Sequence, residues 1–298
     1  MGRTIRQVIC VAAMIPLLSG IGLGQDQVIK MSTTTSTQAS GLLDILLPAF
    51  EKDTGIKVKS IAKGTGAAIR DGMDGNVDII FVHARQREDR FVAEGYGTQR
   101  YAVMHNDFVI LGPPADPAGV RGQKNAAEVL RRIVESGSAF VSRGDDSGTH
   151  TKEQNLWALS GLELEEKAVT IVKKGKQKQI KLKQPKAKGI KYLSIGQGMG
   201  KTISFADEKQ AYTLADRGTY IKYKFGRDTP LDLGIICEGD SALQNPYGVI
   251  PVNPKKHAHV KYKQAKQFAE WLVSERGQKL IRDYRILGKV LFHPDALK

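Results

Sequence analysis

Four short stretches of this chain carry residue types able to hold an oxygen-rich anion. Ser32–Thr37 is a row of six hydroxyl side chains, set between the β-branched pair Val28 and Ile29 and a helix-like run. The others are Gly64-Thr65-Gly66, Ser142–Thr149 (SRGDDSGT) and Gly196–Gly200 (GQGMG). Each stands where a strand or loop runs into a helix. A helix start offers free backbone N–H groups and the positive end of the helix dipole. Glycine lets those groups approach a ligand closely, and hydroxyls add donors without adding charge. A helix cap at Ser36 or Thr37 accounts for one hydroxyl of the first stretch and leaves five others. Arg143 sharpens the pattern. It follows a strand-like run and precedes Ser147-Gly148-Thr149 by four residues, so a permanently charged planar fork and a helix start converge on one anion. Asp145 and Asp146 are placed to hold Arg143 or to cap that helix.

Such junctions need a scaffold that gathers helix starts at one edge. From Gln25 onward strand-like and helix-like runs alternate, the pattern of an α/β fold with mostly parallel strands. Strands are expected at Val28–Met31, Lys57–Ile61, Asp78–Val82 and Ala139–Ser142. Helices are expected at Gln38–Lys52, Ala67–Met73, Arg85–Ala93, Ala126–Glu135 and Thr149–Leu159, with another opening near Met199. In Gln38–Lys52, Leu42, Leu43, Leu46, Leu47 and Phe50 repeat at helical spacing. Val103–Gly112 reads as a long strand stopped by Pro113-Pro114, and Tyr247–Val252 as a second strand able to cross between two halves. Helices at Val260–Val273 and Glu275–Asp283 close the chain, anchored by Phe268 and Trp271. The expected architecture is two lobes joined by two crossing strands: residues 25–105 with 248–298 as lobe I, and 106–247 as lobe II.

The 298 residues carry a formal net charge of +14, much of it local. Ten lysines and no acid lie between Lys167 and Lys191, so this segment of an insert at about 163–191 alone contributes +10. Its alternating first and second halves suggest an exposed hairpin turning at Lys174-Gly175-Lys176. It holds no run of aromatic residues on which single-stranded bases could stack, so no nucleic-acid partner is expected. Arg3 and Arg6 precede the apolar run Val8–Leu18, and small residues follow to Gly24, the layout of a secretory signal too short to span a bilayer. With Cys10 removed, Cys237 stands alone, no disulfide is possible within the mature chain, and a buried apolar role suits it.

At this point specific motifs appear. STTTST, GTGAAI, FVSRGDDSGTHTKEQNLW, GQGMG and AYTLADRGTY, with HNDFVILGPPADPAG and the closing FHP, resemble the tungstate-binding periplasmic proteins of bacterial tungstate ABC transporters. The likeness spans nearly all of Met31–Pro294. It implies a two-lobed type II periplasmic-binding-protein fold, with mostly parallel sheets and two crossing strands at the hinge, closing on one oxyanion. On matching positions it implies ligand contact at Thr33, Thr34, Thr35 and Ser36, at Thr65 and Gly66, and at Arg143, Ser147, Gly148 and Thr149. It also implies a periplasmic monomer that meets a permease at the membrane. The basic insert departs from the pattern: a short linker with a Trp-Tyr pair is usual before GQGMG, and here only Tyr192 remains.

Phosphate-binding relatives place a carboxylate near the end of the third strand to accept the ligand's proton, where this chain has His83. Tungstate and molybdate carry no proton at pH 7, so donors suffice, and the residues leave those two ions unseparated. A hydrolase is disfavoured because Asp145, Asp146, Ser147 and His150 crowd one turn and no Gly-x-Ser-x-Gly elbow exists. His257, His259 and His293 lack a supporting carboxylate or cysteine, so no metal ligands and no cofactor are expected.

Overall fold

The computed structural model describes residues 27–173, 176–186 and 191–296. The signal-like segment 1–24 and the expected turn at Lys174-Gly175 lie outside them. The first lobe begins with β1 (Val28–Thr34), α1 (Thr35–Ser40), α2 (Leu43–Thr54), β2 (Lys57–Lys63), α3 (Thr65–Met73), β3 (Ile79–Val82) and α4 (Arg85–Ala93). The chain then runs through β4 (Tyr101–Gly112), α5 (Ala126–Glu135), β5 (Ala139–Ser142) and α6 (Gly148–Leu159). A hairpin of β6 (Leu164–Lys173) and β7 (Lys176–Pro185) leads to β8 (Lys191–Ser194), α7 (Met199–Glu208), β9 (Tyr212–Asp216) and α8 (Arg217–Phe225). It closes with β10 (Gly234–Cys237), β11 (Gln244–Pro251), α9 (Tyr262–Leu272) and α10 (Glu275–Asp283).

The main sheet runs β2-β1-β3-β11-β4-β9-β5-β8. β1, β2 and β3 are mutually parallel on one side, and β9, β5 and β8 on the other. The middle pair, β11 and β4, is antiparallel to its neighbours. β4 pairs with β11 as far as Asp107 and with β9 from Phe108, so one strand belongs to both halves. β11 returns beside it, giving the two crossing strands of the expected two-lobed fold. The carboxyl ends of the outer strands therefore face each other across this crossing, where ligands of open parallel sheets bind.

Apolar periodicity explains the layers. α2 buries Leu43, Leu46 and Phe50, and Phe50 meets Phe268 edge-on with ring centres 4.8 Å apart. α5 buries Val129, Leu130, Ile133 and Val134, and Asn125 caps it by accepting the Glu128 N–H. Cys237 is buried in the second-lobe core, and burial pushes its thiol up to about 11, as an inert apolar residue requires.

One expectation needs correction. The continuous helix read at Gln38–Lys52 is two helices, α1 and α2, broken at Gly41. Gly41 has φ +85°, and the Ser40 hydroxyl accepts the Leu42 N–H, so the ladder stops. Leucine spacing showed the buried face but hid the break. The lysine-rich segment forms the expected hairpin, paired from Leu164 with Pro185 to Lys173 with Lys176. Leu182, Ile180 and Ile171 are buried, while Lys181 and Lys167 pair with Glu166 and Glu165.

The crossing also depends on a glycine. Glu88 is buried on Arg100 at 2.6 Å, and a Cβ at Gly248 of β11 would run into both side chains. Gly248→Ala should lower stability by about 1–3 kcal/mol through overpacking, read as an earlier urea midpoint. An unchanged midpoint would show that the crossing has slack.

Candidate oxyanion site

Register brings the first two junctions side by side. Thr34 at the end of β1 pairs with Lys63 at the end of β2, so α1 and α3 start as neighbours. Thr34 caps α1, its hydroxyl accepting the Thr37 N–H at 3.1 Å. That cap satisfies the third amide of the helix and leaves those of Thr35 and Ser36, both exposed, without an intrahelical partner. α3 has no side-chain cap at Gly64, so the amides of Thr65 and Gly66 stand in the same position. In the other lobe Ser147 caps α6 by accepting the His150 N–H, which leaves the amides of Gly148 and Thr149. α7 likewise starts at Gly198 without a side-chain cap.

The six hydroxyls divide by task. Ser32 donates to Asp71 at 2.8 Å and Thr33 to the Phe81 carbonyl at 2.7 Å, both fully buried. Thr33 therefore ties β1 to β3 with its side chain. Thr34 and Thr37 lie 2.7 Å apart inside the cap. Thr35 and Ser36 are the exposed pair. The end of β1 is covered on both faces, so the adjacent Ser32 and Thr33 are both buried, which composition alone does not show.

His83 lies beneath this loop. Its Nε2 is 3.1 Å from Thr34 Oγ1 and 3.0 Å from Ser36 Oγ, and its Nδ1 is 3.0 Å from Asn245 Oδ1. Asn245 Nδ2 donates to Asn106 Oδ1 at 2.7 Å, so Asn245 Oδ1 is an acceptor and Nδ1 carries the ring proton. Nε2 is then the acceptor for a hydroxyl of the loop. This chain links the loop to β11 and β4, the two crossing strands. Burial holds the His83 pKa below its ordinary value, against the Asn245 hydrogen bond and the Asp216 charge. The ring stacks on Tyr247 with centres 4.6 Å apart. Asn245 lies outside every motif, and nothing in HNDFVILGPPADPAG singles out Asn106; the fold brings the two together.

Arg143 follows β5, as expected. Its Nη2 donates to Asp145 at 2.6 Å and its Nη1 to Thr149 Oγ1 at 3.3 Å, while Nε is buried without a protein partner. The turn beneath it requires glycine: Gly144 has φ +55°, and a Cβ there would strike the Ser194 hydroxyl. Ser142 Oγ accepts the Gly144 N–H at 3.1 Å and donates to buried Glu153 at 2.7 Å. Glu153 also accepts from Tyr192 OH and Trp157 Nε1. Burial pushes its carboxyl up to about 7, opposed by those three hydrogen bonds. Sequence reading missed Glu153, although the lone acid within an otherwise uncharged buried helix face was a usable signal.

The crowded hydrolase-like residues do not form a nucleophile–base pair. Ser147 Oγ accepts a backbone N–H, and His150 Nδ1 accepts the Asp146 N–H at 3.2 Å. His257 and His259 are spent on the carbonyls of Met73 and Gly75 at 2.8 Å each. Among the described residues no cluster of three or more metal-binding side chains forms, and no helix is long and apolar enough to cross a membrane. A surface hollow lined by Lys30, Lys59, Asp78, His259 and Lys261 lies at the opposite, amino end of β1. It is far along the strands from the helix starts.

A family model described as a PBP superfamily domain matches residues 23–276. The tungstate-binding protein TupA of Peptoclostridium acidaminophilum is 44% identical over 274 residues, covering 91% of this chain and 86% of that one. The chain belongs to the tungstate-binding-protein family of the PBP superfamily. Among solved structures, the tungstate-binding protein TupA of Desulfovibrio alaskensis G20 is 44% identical with a TM-score of 0.78, covering 91% of this chain and 99% of that one. The tungstate ABC transporter structure from Geobacter sulfurreducens is 47% identical with a TM-score of 0.69, over 88% of this chain and 100% of that one.

The network around His83 makes a prediction of its own. Nitrogen-15 NMR should find the ring neutral with the proton on Nδ1 at pH 6.5, where a free imidazole is about half charged. A ring already half protonated at that pH, or a proton on Nε2, would contradict the hydrogen-bond chain.

Proposed function

We propose that this chain is an extracytoplasmic solute-binding protein that closes its two lobes on one tungstate ion and delivers it to the permease of an ABC transporter. One observation carries the reading. Three helix starts leave their first two amides at strand ends, and one of them, that of α6, adjoins an Arg143 guanidinium whose buried Nε–H has no protein partner. The donor set is Thr35 and Ser36, Thr65 and Gly66, and Arg143, Gly148 and Thr149. Thr34 and Ser147 shape it as caps, and Thr33 as a tie between strands. An orphaned buried donor costs about 1–3 kcal/mol, and an oxyanion at this place relieves that cost at Arg143.

The local charge balance suits a proton-free dianion. Asp145 offsets much of the Arg143 charge, so amides and hydroxyls supply the rest of the attraction. His83 offers its acceptor nitrogen to the loop hydroxyls, where it orients donors for a ligand that brings no proton of its own. The choice of tungstate over molybdate rests on the names of the relatives, since the two ions share charge and shape.

Around this centre we place residues 1–24 as an export signal and the mature chain as a periplasmic monomer. Lobe I is 25–105 with 248–298, and lobe II is 106–247. The basic hairpin is a peripheral contact on the membrane complex. No catalytic step and no resident cofactor enter this reading.

Calorimetric titration with tungstate, molybdate, sulfate and phosphate tests it. One tungstate or molybdate ion should bind per chain, with sulfate and phosphate far weaker. Arg143→Gln should weaken tungstate binding roughly 10- to 100-fold, the worth of one charge-assisted hydrogen bond of about 1.5–3 kcal/mol. Preference for phosphate, or undiminished binding by Arg143→Gln, would overturn the assignment.

A further inference from the structure

Glu153 lies under the anion loop but outside the donor set. Its carboxyl is fully enclosed, with Ser142 Oγ donating to Oε2 at 2.7 Å and Tyr192 OH and Trp157 Nε1 donating to Oε1 at 2.7 and 3.0 Å. All three partners are neutral, and Asp145 adds a like charge nearby. The same Ser142 hydroxyl accepts the Gly144 N–H, so the carboxyl is two hydrogen bonds away from the backbone turn that carries Arg143. Buried carboxylates without a cation are expensive when ionised, and an arriving dianion adds more negative charge on the other side of the loop.

We propose that Glu153 is the positioning residue of the anion loop, and that capture of a dianion is coupled to uptake of a proton by its carboxyl. The inference rests on the oxyanion reading above. The proton enters on Oε2 facing Ser142 Oγ, whose own hydrogen rotates away from the carboxyl so that its lone pairs accept both this new O–H and the Gly144 N–H. The turn under Arg143 therefore survives protonation, while the buried negative charge disappears.

Burial has already brought the group up to about 7, so it is poised near neutrality before any ligand arrives. The other charged groups of the surrounding elements are engaged elsewhere. Lys183 on β7 is exposed, Tyr212 on β9 donates to Asp116, and Glu128 on α5 pairs with Arg131. On α6 itself burial lowers the His150 pKa, and in the loop before it Arg143 is tied to Asp145. Of the titratable groups, Tyr192 and Asp145 bear on the carboxyl, the first lowering and the second raising its pKa. The sign follows. A bound dianion raises the Glu153 pKa further, so affinity is greatest where the carboxyl is protonated and falls as pH rises through 7.

The test is titration of the full-length mature protein with molybdate and with tungstate between pH 6.5 and 8.5, in two buffers of different ionisation enthalpy. Wild type should take up about half a proton per anion near pH 7, and its affinity should fall about sixfold across the range for a one-unit rise in pKa on binding. Glu153→Gln, which keeps acceptors for Tyr192 and Trp157, should bind with a flat pH profile and no proton uptake. Tyr192→Phe removes a bond that lowers the carboxyl's pKa, so it should move the midpoint to higher pH. If Glu153→Gln does not fold, the wild-type proton count and the Tyr192→Phe midpoint decide alone. Binding with no proton uptake, or a pH slope that persists in Glu153→Gln, overturns this inference and leaves the oxyanion reading intact. No binding of either ion by wild type overturns the oxyanion reading instead.

Discussion

The structure turns on one guanidinium that is held still and incompletely satisfied. Arg143 is about five-sixths buried, its side chain being 16% exposed, so its charge acts through little water. Asp145 and Thr149 take two of its nitrogens, and the third keeps its hydrogen. Everything around it fixes that arrangement: the end of β5 sets where it emerges, Gly144 makes the turn, and Ser142 and Glu153 lock the turn from below. A free arginine on a loop would lose side-chain entropy on binding. Here that loss is already incurred in folding.

The opposite lobe solves a different problem with neutral groups. Thr35, Ser36, Thr65 and Gly66 offer amides at helix starts that are neighbours because β1 and β2 are parallel and in register. The hydroxyl loop is tied to β11 and β4 through three hydrogen-bonded side chains, His83, Asn245 and Asn106.

Much of this was legible from residues. Helix starts marked by Gly, Ser and Thr, the arginine spacing and the two crossing strands all follow from local rules, and the folded chain keeps them. The failures share a cause. Helical periodicity cannot register a break that preserves the apolar face, so Gly41 was missed. Residue type cannot tell which hydroxyl of six points into the sheet, so Thr33 looked like Ser36. Asn106, Asn245 and Glu153 act through partners distant in sequence, such as His83 to Asn245 and Glu153 to Tyr192, and only the sheet order brings those pairs together. The basic insert was visible as charge, but its anchorage through Leu182, Ile180 and the Lys183 N–H to Gln154 needed the structure.

Diffraction from crystals grown with tungstate, recorded at the tungsten absorption edge, tests the central claim most directly. A single strong anomalous peak should lie between the amides of Thr35, Ser36, Thr65 and Gly66 and the Arg143 guanidinium. A peak in the hollow of Lys30, Lys59 and Lys261, or among the hairpin lysines, with none beside Arg143, would contradict the account.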